Sequence, residues 1–240
     1  MKKQFDKIVR KRRSVRIFKN IDIDHEEVKN SILHASLAPN SSNLQLWEFY
    51  HVTKVDLMKK ISQACFNQPA AKTANQFVVV VTRKDLWKSR RNFNINYISN
   101  RPEASNGKGL KKRSIALKYY KYLIPTVYKE FYGLLGYLKY FYALFIGLFR
   151  PIYRQVKNSD MRVVAHKSSA LAAQNFMLSM TSKGYDTCPM EGFDSLRVKK
   201  ILSLPCKSEI NMIISCGIKD ENGVYGDQIR VPFEEIYFKN

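Results

Sequence analysis

The stretch FVVVVT, residues 77–82, is the clearest structural signal in the sequence. Its consecutive β-branched residues favour a strand, and the lack of polar alternation is typical of a strand buried on both faces. Two other stretches, WEFYHV at residues 47–52 and NMIISCG at residues 211–217, also read as strands. The sequence therefore predicts a sheet with at least these three strands.

Two helices are predicted from capping and periodicity. Asp24 followed by Glu27 resembles a capping box, and apolar residues then recur at helical spacing up to Pro39: Val28, Ile32, Leu33 and Leu37. Residues 161–183 form a long, Ala-rich pattern that is apolar at helical intervals, and Gly184 is suited to its C-terminal cap. Helices and strands together predict an α+β protein.

The charge of the chain indicates anionic ligands. With 240 residues it is long enough for one sizeable domain, and its formal net charge is +21. The N-terminus has basic residues without a continuous apolar segment or a small-residue cleavage site, so we expect a cytoplasmic protein. Nucleic acid, phosphorylated ligands and acidic membranes all attract such a charge.

Metal and thiol chemistry are not indicated. Cys65, Cys188, Cys206 and Cys216 have no CxxC spacing, and the four histidines are not at metal-ligand intervals. We expect reduced thiols and no metal, with Cys188 as a buried structural thiol. The chain also lacks a Walker loop, a GxGxxG after a strand and a GxSxG elbow.

Composition changes at about residues 88–160, which we interpret as an insertion into a single domain spanning 1–240. This region contains fifteen Lys or Arg and three acidic residues, more than half of the net charge. Residues 99–109, SNRPEASNGKG, have the composition of a mobile loop. An aromatic-rich helical stretch is predicted from about residue 111 to 154.

Five short motifs now occur in a recognisable order. They are RRSVRIF (12–18), APNSSNLQLWEF (38–49), FNQ (66–68), TCPMEGFD (187–194) and QIRVPFEEIY (228–237). In this order they resemble the FMN-dependent nitroreductase family. The resemblance covers nearly the whole chain outside 88–160 and implies a mostly antiparallel sheet flanked by helices, in a homodimer with two FMN sites at the subunit interface.

The resemblance assigns the basic motif to the FMN phosphate and ribityl chain. Arg12, Arg13 and Ser14 take that role, and Arg230 acts as a second phosphate clamp, because guanidinium forks suit phosphate oxygens. Gln228 stands where relatives often have a cation. From charge alone, the cations of KRRSVRIF, residues 11–18, could be an ordinary solvated run. By resemblance, most of them are cofactor ligands.

Arg16 is implied near the pyrimidine edge of the flavin. A fixed cation there favours the anionic reduced ring, and each ~1.4 kcal/mol of such preference raises a two-electron potential by roughly 30 mV. The alternative for Arg16 is a surface salt bridge.

Two further motifs are assigned to the flavin ring by resemblance. Asn40, Ser41 and Asn43 match the loop that reaches the flavin of the partner subunit, where Leu46 replaces the usual Pro and predicts a looser turn. The matching ring contact in FNQ is Asn67. The alternative for these residues is an ordinary polar loop or turn.

The PMEG stretch is implied to pass beside the central ring. Its four residues are Pro189, Met190, Glu191 and Gly192. A backbone N–H of Glu191 or Gly192 would be directed at N5, and the glycine permits close backbone approach. From the residues alone, this stretch is a tight turn before a helix capped by Asp194.

By resemblance the reaction is a ping-pong transfer of electrons from NADPH or NADH, through FMN, to a quinone, nitroaromatic or other conjugated apolar acceptor. No side-chain acid or base is implied. One alternative is a dehalogenase-like enzyme with the same flavin motifs, and another is a non-catalytic basic protein that binds flavin or a membrane surface. Nucleic acid is not the expected partner.

Residues 131–149, FYGLLGYLKYFYALFIGLF, leave three interpretations open. A helix of this length would be ~28 Å long, close to the bilayer core, but Lys139 near its midpoint opposes a span. The other two interpretations are a lid or dimer-packing helix, and a helix that lies at an anionic membrane surface, with residues 111–154 making the peripheral contact. We expect a greasy, basic-rimmed entrance for flat apolar acceptors.

Overall fold

The central sheet has four antiparallel strands. In the computed structural model, which describes residues 2–102, 107–131 and 133–240, the strand order is β1-β2-β4-β3. The strands are β1 (Trp47–Val52), β2 (Gln76–Thr82), β3 (Asp186–Met190) and β4 (Glu209–Gly217). The three predicted strands are confirmed, whereas β3, whose end was interpreted as part of a turn, is an additional edge strand.

Ten α-helices occur in the described residues. They are α1 (Lys2–Lys11), α2 (His25–Ser36), α3 (Val55–Ala64), α4 (Pro69–Lys72), α5 (Trp87–Asn100), α6 (Gly107–Lys118), α7 (Ile124–Tyr128), α8 (Leu134–Ile146), α9 (Asn158–Ser182) and α10 (Ser195–Ile201). A π-helical turn, Tyr119–Leu123, joins α6 to α7.

Strand β2 lies at the centre of the core, as its sequence predicts. All seven of its residues are buried. Because side chains alternate along a strand, Phe77, Val79 and Val81 pack in the cluster that includes residues of α3 and α10, whereas Val78 and Val80 pack against α2 and α9. The sheet is therefore covered by helices on both faces.

The long helix of residues 161–183 is confirmed as α9, which begins three residues earlier than predicted. Gly184 follows it with φ +87°, a left-handed conformation that favours glycine, and the helix ends there. Eleven residues of α9 are buried, so it is the main support for one face of the sheet.

The predicted apolar face of α2 is partly wrong. Asp24 caps the helix by accepting a hydrogen bond from the Glu26 amide at 2.8 Å, as expected. However, Leu33 and Leu37 are 61% and 74% exposed. The helix instead packs on α9 through a face of mostly small residues, which are Val28, Ser31 and Ala35.

The insertion is a set of short helices. The single helix predicted over 131–149 is wrong: α8 has thirteen residues, about 20 Å of length at 1.5 Å per residue, and Tyr132 lies outside the described residues. No helix within the described ranges is both long and apolar enough to cross a bilayer. The loop predicted at 99–109 includes residues 103–106, which also lie outside the described residues.

Lys139, which opposed a membrane span in the sequence, joins two helices of the insertion. Its ammonium group donates to the carbonyl oxygens of Val127 at 3.2 Å and Lys129 at 2.5 Å, at the C-terminal end of α7. The Glu130 carboxylate lies 3.7 Å away. Lys139 therefore caps α7 from α8, since cations stabilise helix C-termini.

Candidate functional site

A basic cavity brings together residues from the two ends of the chain. Its volume is about 450 Å³, and its walls include all of the predicted phosphate ligands and two of their neighbours: Arg12, Arg13, Ser14, Arg16, Gln228 and Arg230. The residues at 12–16 and those at 228–230 are more than 200 positions apart in sequence, so the cluster is formed by the fold and not by the local sequence.

The first motif is held by backbone hydrogen bonds to the edge of the sheet. Ser14 forms an isolated parallel bridge with Thr187 of β3, and the Val15 amide donates to the Thr187 carbonyl at 3.1 Å. The Arg16 amide donates to the Gly223 carbonyl at 2.6 Å. Val15 is fully buried, so Ser14 and Arg16, its neighbours on an extended chain, point away from the core.

The charges of the cavity are unbalanced. Four guanidinium groups line it, together with the single carboxylate of Asp227. Arg13 donates to the Gly226 carbonyl at 2.6 Å, which fixes the C-terminal segment over the cavity. No ion pair to Arg12, Arg13, Arg16 or Arg230 occurs in the described parts of the chain. A phosphate ester fits this donor set, because it offers the anionic oxygens that these groups lack.

The FNQ turn is joined to the end of β3. Gln68 donates to the Gly192 carbonyl at 3.0 Å, and the Asp194 amide donates to the Ala64 carbonyl at 2.8 Å. Asn67 is exposed, with φ +52°. Gln68 was not selected from the sequence, although it belongs to the same motif; here it links two of the predicted ring-binding segments.

The PMEG stretch divides into a buried and an exposed part. Pro189 and Met190 complete β3, and a proline is tolerated there because β3 is an edge strand. Met190 is 2% exposed and its sulfur accepts from Ser215, so its side chain belongs to the core and is not available to a ligand. Glu191 and Gly192 are exposed, and their amides donate no hydrogen bond within the described residues.

Cys188 is a buried thiol, as expected. Burial raises the pKa of its thiol, and the nearby positive charges of Arg16 and Arg12 only partly oppose this effect. The thiolate is therefore disfavoured, which argues against a nucleophilic role.

The loop of residues 40–46 is fixed by its contacts. Asn40 accepts from the Gln45 amide at 2.8 Å, the Ser41 amide donates to Ser168 at 3.3 Å, and Asn43 accepts from Asn94 at 2.8 Å. The looser turn predicted from Leu46 is wrong: Leu46 is 3% exposed and packs against the insertion, so burial replaces the rigidity of proline.

Backbone strain is concentrated in the two motif loops. Six non-glycine residues of the described chain have positive φ, and five lie in these loops: Ser42, Asn43, Gln45, Phe66 and Asn67. Such conformations cost of order 1–3 kcal/mol each and persist where surrounding contacts impose them. Their presence at both predicted ring-binding loops supports a functional role for the loops.

The arginine cavity and the 40–43 loop lie at opposite corners of one subunit. The loop precedes β1, whose Trp47 is level with Glu209 of β4, whereas Ser14 is level with Cys216, seven residues along β4. Seven residues span about 24 Å, and four inter-strand spacings add about 19 Å across the sheet, a diagonal of roughly 30 Å. The two groups cannot act on one small ligand within a single chain.

The insertion contacts the 40–43 loop directly. The hydroxyl groups of Tyr119 and Ser42 are 2.6 Å apart, and Tyr120 donates to the Ser42 carbonyl at 2.9 Å. These tyrosines were not selected from the sequence, because the aromatic composition of the insertion gave no reason to prefer particular rings.

Comparisons with known proteins show the family and the fold. A family model described as the nitroreductase family matches residues 9–218. MhqN of Bacillus subtilis, assigned as an NAD(P)H nitroreductase, is 27% identical over 216 residues, covering 89% of this chain and 88% of MhqN.

Two solved structures have the same fold. The ydfN protein of Bacillus subtilis, assigned as a nitroreductase, superposes with a TM-score of 0.75 at 21% identity over the full length of both chains. A protein of Exiguobacterium sibiricum with the same assignment, solved in complex with FMN, gives a TM-score of 0.69 at 20% identity, covering 98% of this chain and 97% of that one.

Proposed function

The chain belongs to the nitroreductase family, and on that premise we propose that it is an FMN-dependent oxidoreductase that transfers electrons from NADPH or NADH to a conjugated apolar acceptor, such as a quinone or a nitroaromatic. The observation that carries the proposal is the cavity lined by four guanidinium groups that make no ion pair with a described residue, at the position of the family's phosphate motif. The MhqN and Exiguobacterium sibiricum proteins supply the precedent for NAD(P)H and for FMN.

In this proposal Arg12, Arg13, Ser14 and Arg230 hold the phosphate end of FMN, with Gln228 as a neutral donor beside them. Arg16 lines the same cavity as Ser14, and in this proposal it interacts with the flavin ring. Charge-assisted hydrogen bonds of this kind are worth about 1.5–3 kcal/mol each. Binding therefore depends on several arginines, and no single one accounts for it.

The ring contacts come from three segments. Asn67, Glu191 and Gly192 are exposed, and in this proposal the Asn67 side chain and the amides of Glu191 and Gly192 donate to the ring edge. Pro189 acts through the backbone conformation of β3, and the Met190 side chain packs in the core and stabilises this strand. Asn40, Ser41 and Asn43 act on the flavin of the partner subunit, because they are too far from the cavity of their own chain.

FMN, when bound, supplies hydride acceptance from the nicotinamide and electron delivery to the acceptor in two half-reactions. The protein's own contribution is to hold the cofactor, to place donors along the ring edge and to exclude water. No buried side-chain acid or base is required in this scheme.

A homodimer is part of the proposal. Besides the roughly 30 Å diagonal, the C-terminal segment supports it, since residues 228–240 are exposed throughout. Apolar side chains there are 56–83% exposed, namely Ile229, Val231, Phe233, Ile236 and Phe238. An arm of this composition is suited to covering a second copy of the chain.

The test is a spectrum of the purified protein. We expect about one FMN per subunit, bleaching on addition of NADPH and recovery with menadione, a soluble quinone. Arg12→Ala or Arg230→Ala should weaken FMN binding about ten- to hundredfold, because each removes a charge-assisted contact. Arg10→Ala is the matched control, since Arg10 is exposed and outside the cavity.

A protein that binds no FMN in titration would refute the assignment. A protein that binds FMN but does not bleach with NADPH or NADH would instead favour a non-catalytic flavin-binding protein.

A further inference from the structure

A second cavity, of about 720 Å³, lies between the insertion and α9. Its deep walls are apolar and buried, formed by Ile124, Ala143, Val156 and Met161. This volume is within the range of sites for small organic ligands, which are mostly apolar with a few fixed polar groups. The cavity belongs to the insertion and is separate from the arginine cavity.

Four phenols, those of Tyr119, Tyr128, Tyr142 and Tyr153, are among the polar groups that line this cavity. Tyr119 is already paired with Ser42. Tyr128 is only 7% exposed, and its hydroxyl has no hydrogen-bond partner in the described residues. Since buried hydroxyls are normally paired, this one calls for an explanation.

The Tyr128 hydroxyl is a donor at neutral pH. Burial raises the pKa of Tyr128 to about 12, with smaller contributions from Tyr153 and Tyr119, which line the same cavity. It therefore keeps its proton and can donate to an oxygen atom of a ligand.

The cavity offers no free positive charge. Lys139 is the only cation among its lining residues, and its ammonium group is already bonded to the carbonyls of Val127 and Lys129. A carboxylate or phosphate would be desolvated there without a partner, which is costly. The chemistry therefore favours a neutral ligand.

The cavity is lined both by the 40–43 loop and by exposed residues of the insertion. Ser41 and Ser42 belong to the loop, whereas Leu123, Leu138 and Tyr142 of the insertion are each more than half exposed. A ligand with a polar ring toward the loop and an apolar tail along the insertion matches this polarity.

We propose that this cavity binds a neutral lipophilic carbonyl compound, one oxygen of which accepts a hydrogen bond from the Tyr128 hydroxyl while the apolar tail packs against Ile124, Ala143 and Met161. The inference rests on the proposed function in one respect: it identifies this ligand as the electron acceptor, a quinone with an aliphatic tail.

Binding is measured by intrinsic fluorescence. Trp87 stacks on Tyr128 with ring centroids 5.8 Å apart, so its emission responds to a quinone beside Tyr128. The probes are decylubiquinone, its tail-less headgroup analogue, decylbenzene and decanoate. We expect decylubiquinone to bind at least tenfold more tightly than the headgroup analogue, because the tail removes apolar surface from water, and decanoate to bind far more weakly.

Two variants separate the tail from the carbonyl. Ala143→Phe fills the cavity and should abolish the preference for the tail, whereas Leu134→Phe, on the exposed side of α8 and outside the cavity lining, should leave it unchanged. Tyr128→Phe should weaken decylubiquinone about five- to tenfold and leave decylbenzene unchanged. Its melting temperature should not fall, since the hydroxyl has no partner to lose.

Equal affinity for decylubiquinone and the headgroup analogue would overturn the inference, as would decylubiquinone binding that Tyr128→Phe and Ala143→Phe do not change. Reduction of ferricyanide and menadione by NADPH is measured in parallel. If these reactions proceed but the tail has no effect, the cavity assignment fails and the oxidoreductase assignment stands; if tail-dependent binding occurs without NADPH oxidation, the reverse holds.

Discussion

A composite site makes a quantitative prediction for mixed dimers. In one chain Ser14, which is beside Arg12 in the cavity, is roughly 30 Å from Trp47, which follows the loop with Ser41 and Asn43. If each cofactor needs the arginines of one subunit and the loop of the other, two different defective chains can restore a site together.

The two parent variants remove different ends of the site. Arg12→Ala with Arg230→Ala removes two charge-assisted contacts, a loss of about 3–6 kcal/mol in FMN binding. Ser41→Ala with Asn43→Ala removes two neutral contacts, a loss of about 1–3 kcal/mol. Each parent homodimer has two damaged sites.

Random pairing of the two chains makes about half of the dimers mixed. In each mixed dimer one site is intact and the other lacks all four of the substituted residues, so about a quarter of all sites recover full affinity. The assay is FMN retained per subunit after dialysis against a concentration between the parental and wild-type Kd values. Mixed dimers isolated with two different tags should retain FMN in half of their sites. Retention no greater than in the better parent would refute the composite site, and an FMN-loaded monomer in sedimentation would refute the dimer itself.

Two other predictions concern stability. Arg83 is 8% exposed and pairs with Glu48 and Asp85. Arg83→Met should lower the free energy of unfolding, measured by urea denaturation, by about 3 kcal/mol, because two half-buried carboxylates lose their partner. Arg83→Lys should lower it less, and a loss below about 1 kcal/mol for Arg83→Met would contradict the prediction. Burial lowers the pKa of His51 below 6.5 in the folded state, although its ring is hydrogen-bonded to Gln76 at 2.6 Å. As the pH drops, the unfolded chain therefore takes up the proton before the folded chain does, and the free energy of unfolding should fall between pH 6.5 and the lower folded pKa. Unfolding measured at several pH values should show a shallower decrease for His51→Gln. An identical slope in the two proteins would exclude His51 as the source of the decrease.

The sequence predicted the centre of the fold better than its periphery. Strand β2 and helix α9 were identified because burial on both sides leaves a continuous apolar signal. Leu33 and Leu37 misled the assignment of the face of α2, since apolar periodicity does not reveal that small residues make the closer contact with a neighbouring helix. Strand β3 was missed because Pro189 is unusual in a strand, and only its place at the sheet edge makes it acceptable.

The motifs predicted the candidate-site residues, and the resemblance assigned the 40–43 loop to the flavin of a partner subunit, but the distance between the two groups follows only from the register of the sheet. The motifs named Arg12 and Arg230, and the fold places them in one cavity. They also named Met190, whose side chain proves to be buried in the core, because a motif does not say which of its residues act through the backbone. Tyr128 carried no sequence signal at all, since its interest lies in a missing partner, which only the packing reveals.

The insertion supports the loop of residues 40–46 as well as forming the second cavity. Leu44 and Leu46 are buried in the cluster that contains Ile124 and Tyr128, and they flank the strained residue Gln45. Positive φ at a non-glycine residue persists only where neighbouring contacts impose it. The packing of Leu44 and Leu46 on the insertion therefore maintains the conformation of Gln45, where the family's proline at position 46 would otherwise restrict the backbone. Removing residues 119–153 would therefore expose the two leucines and relax the loop, and would disturb a partner's cofactor along with the acceptor. Ala143→Phe changes the cavity and leaves this support in place, which is why the two kinds of change should affect soluble acceptors differently.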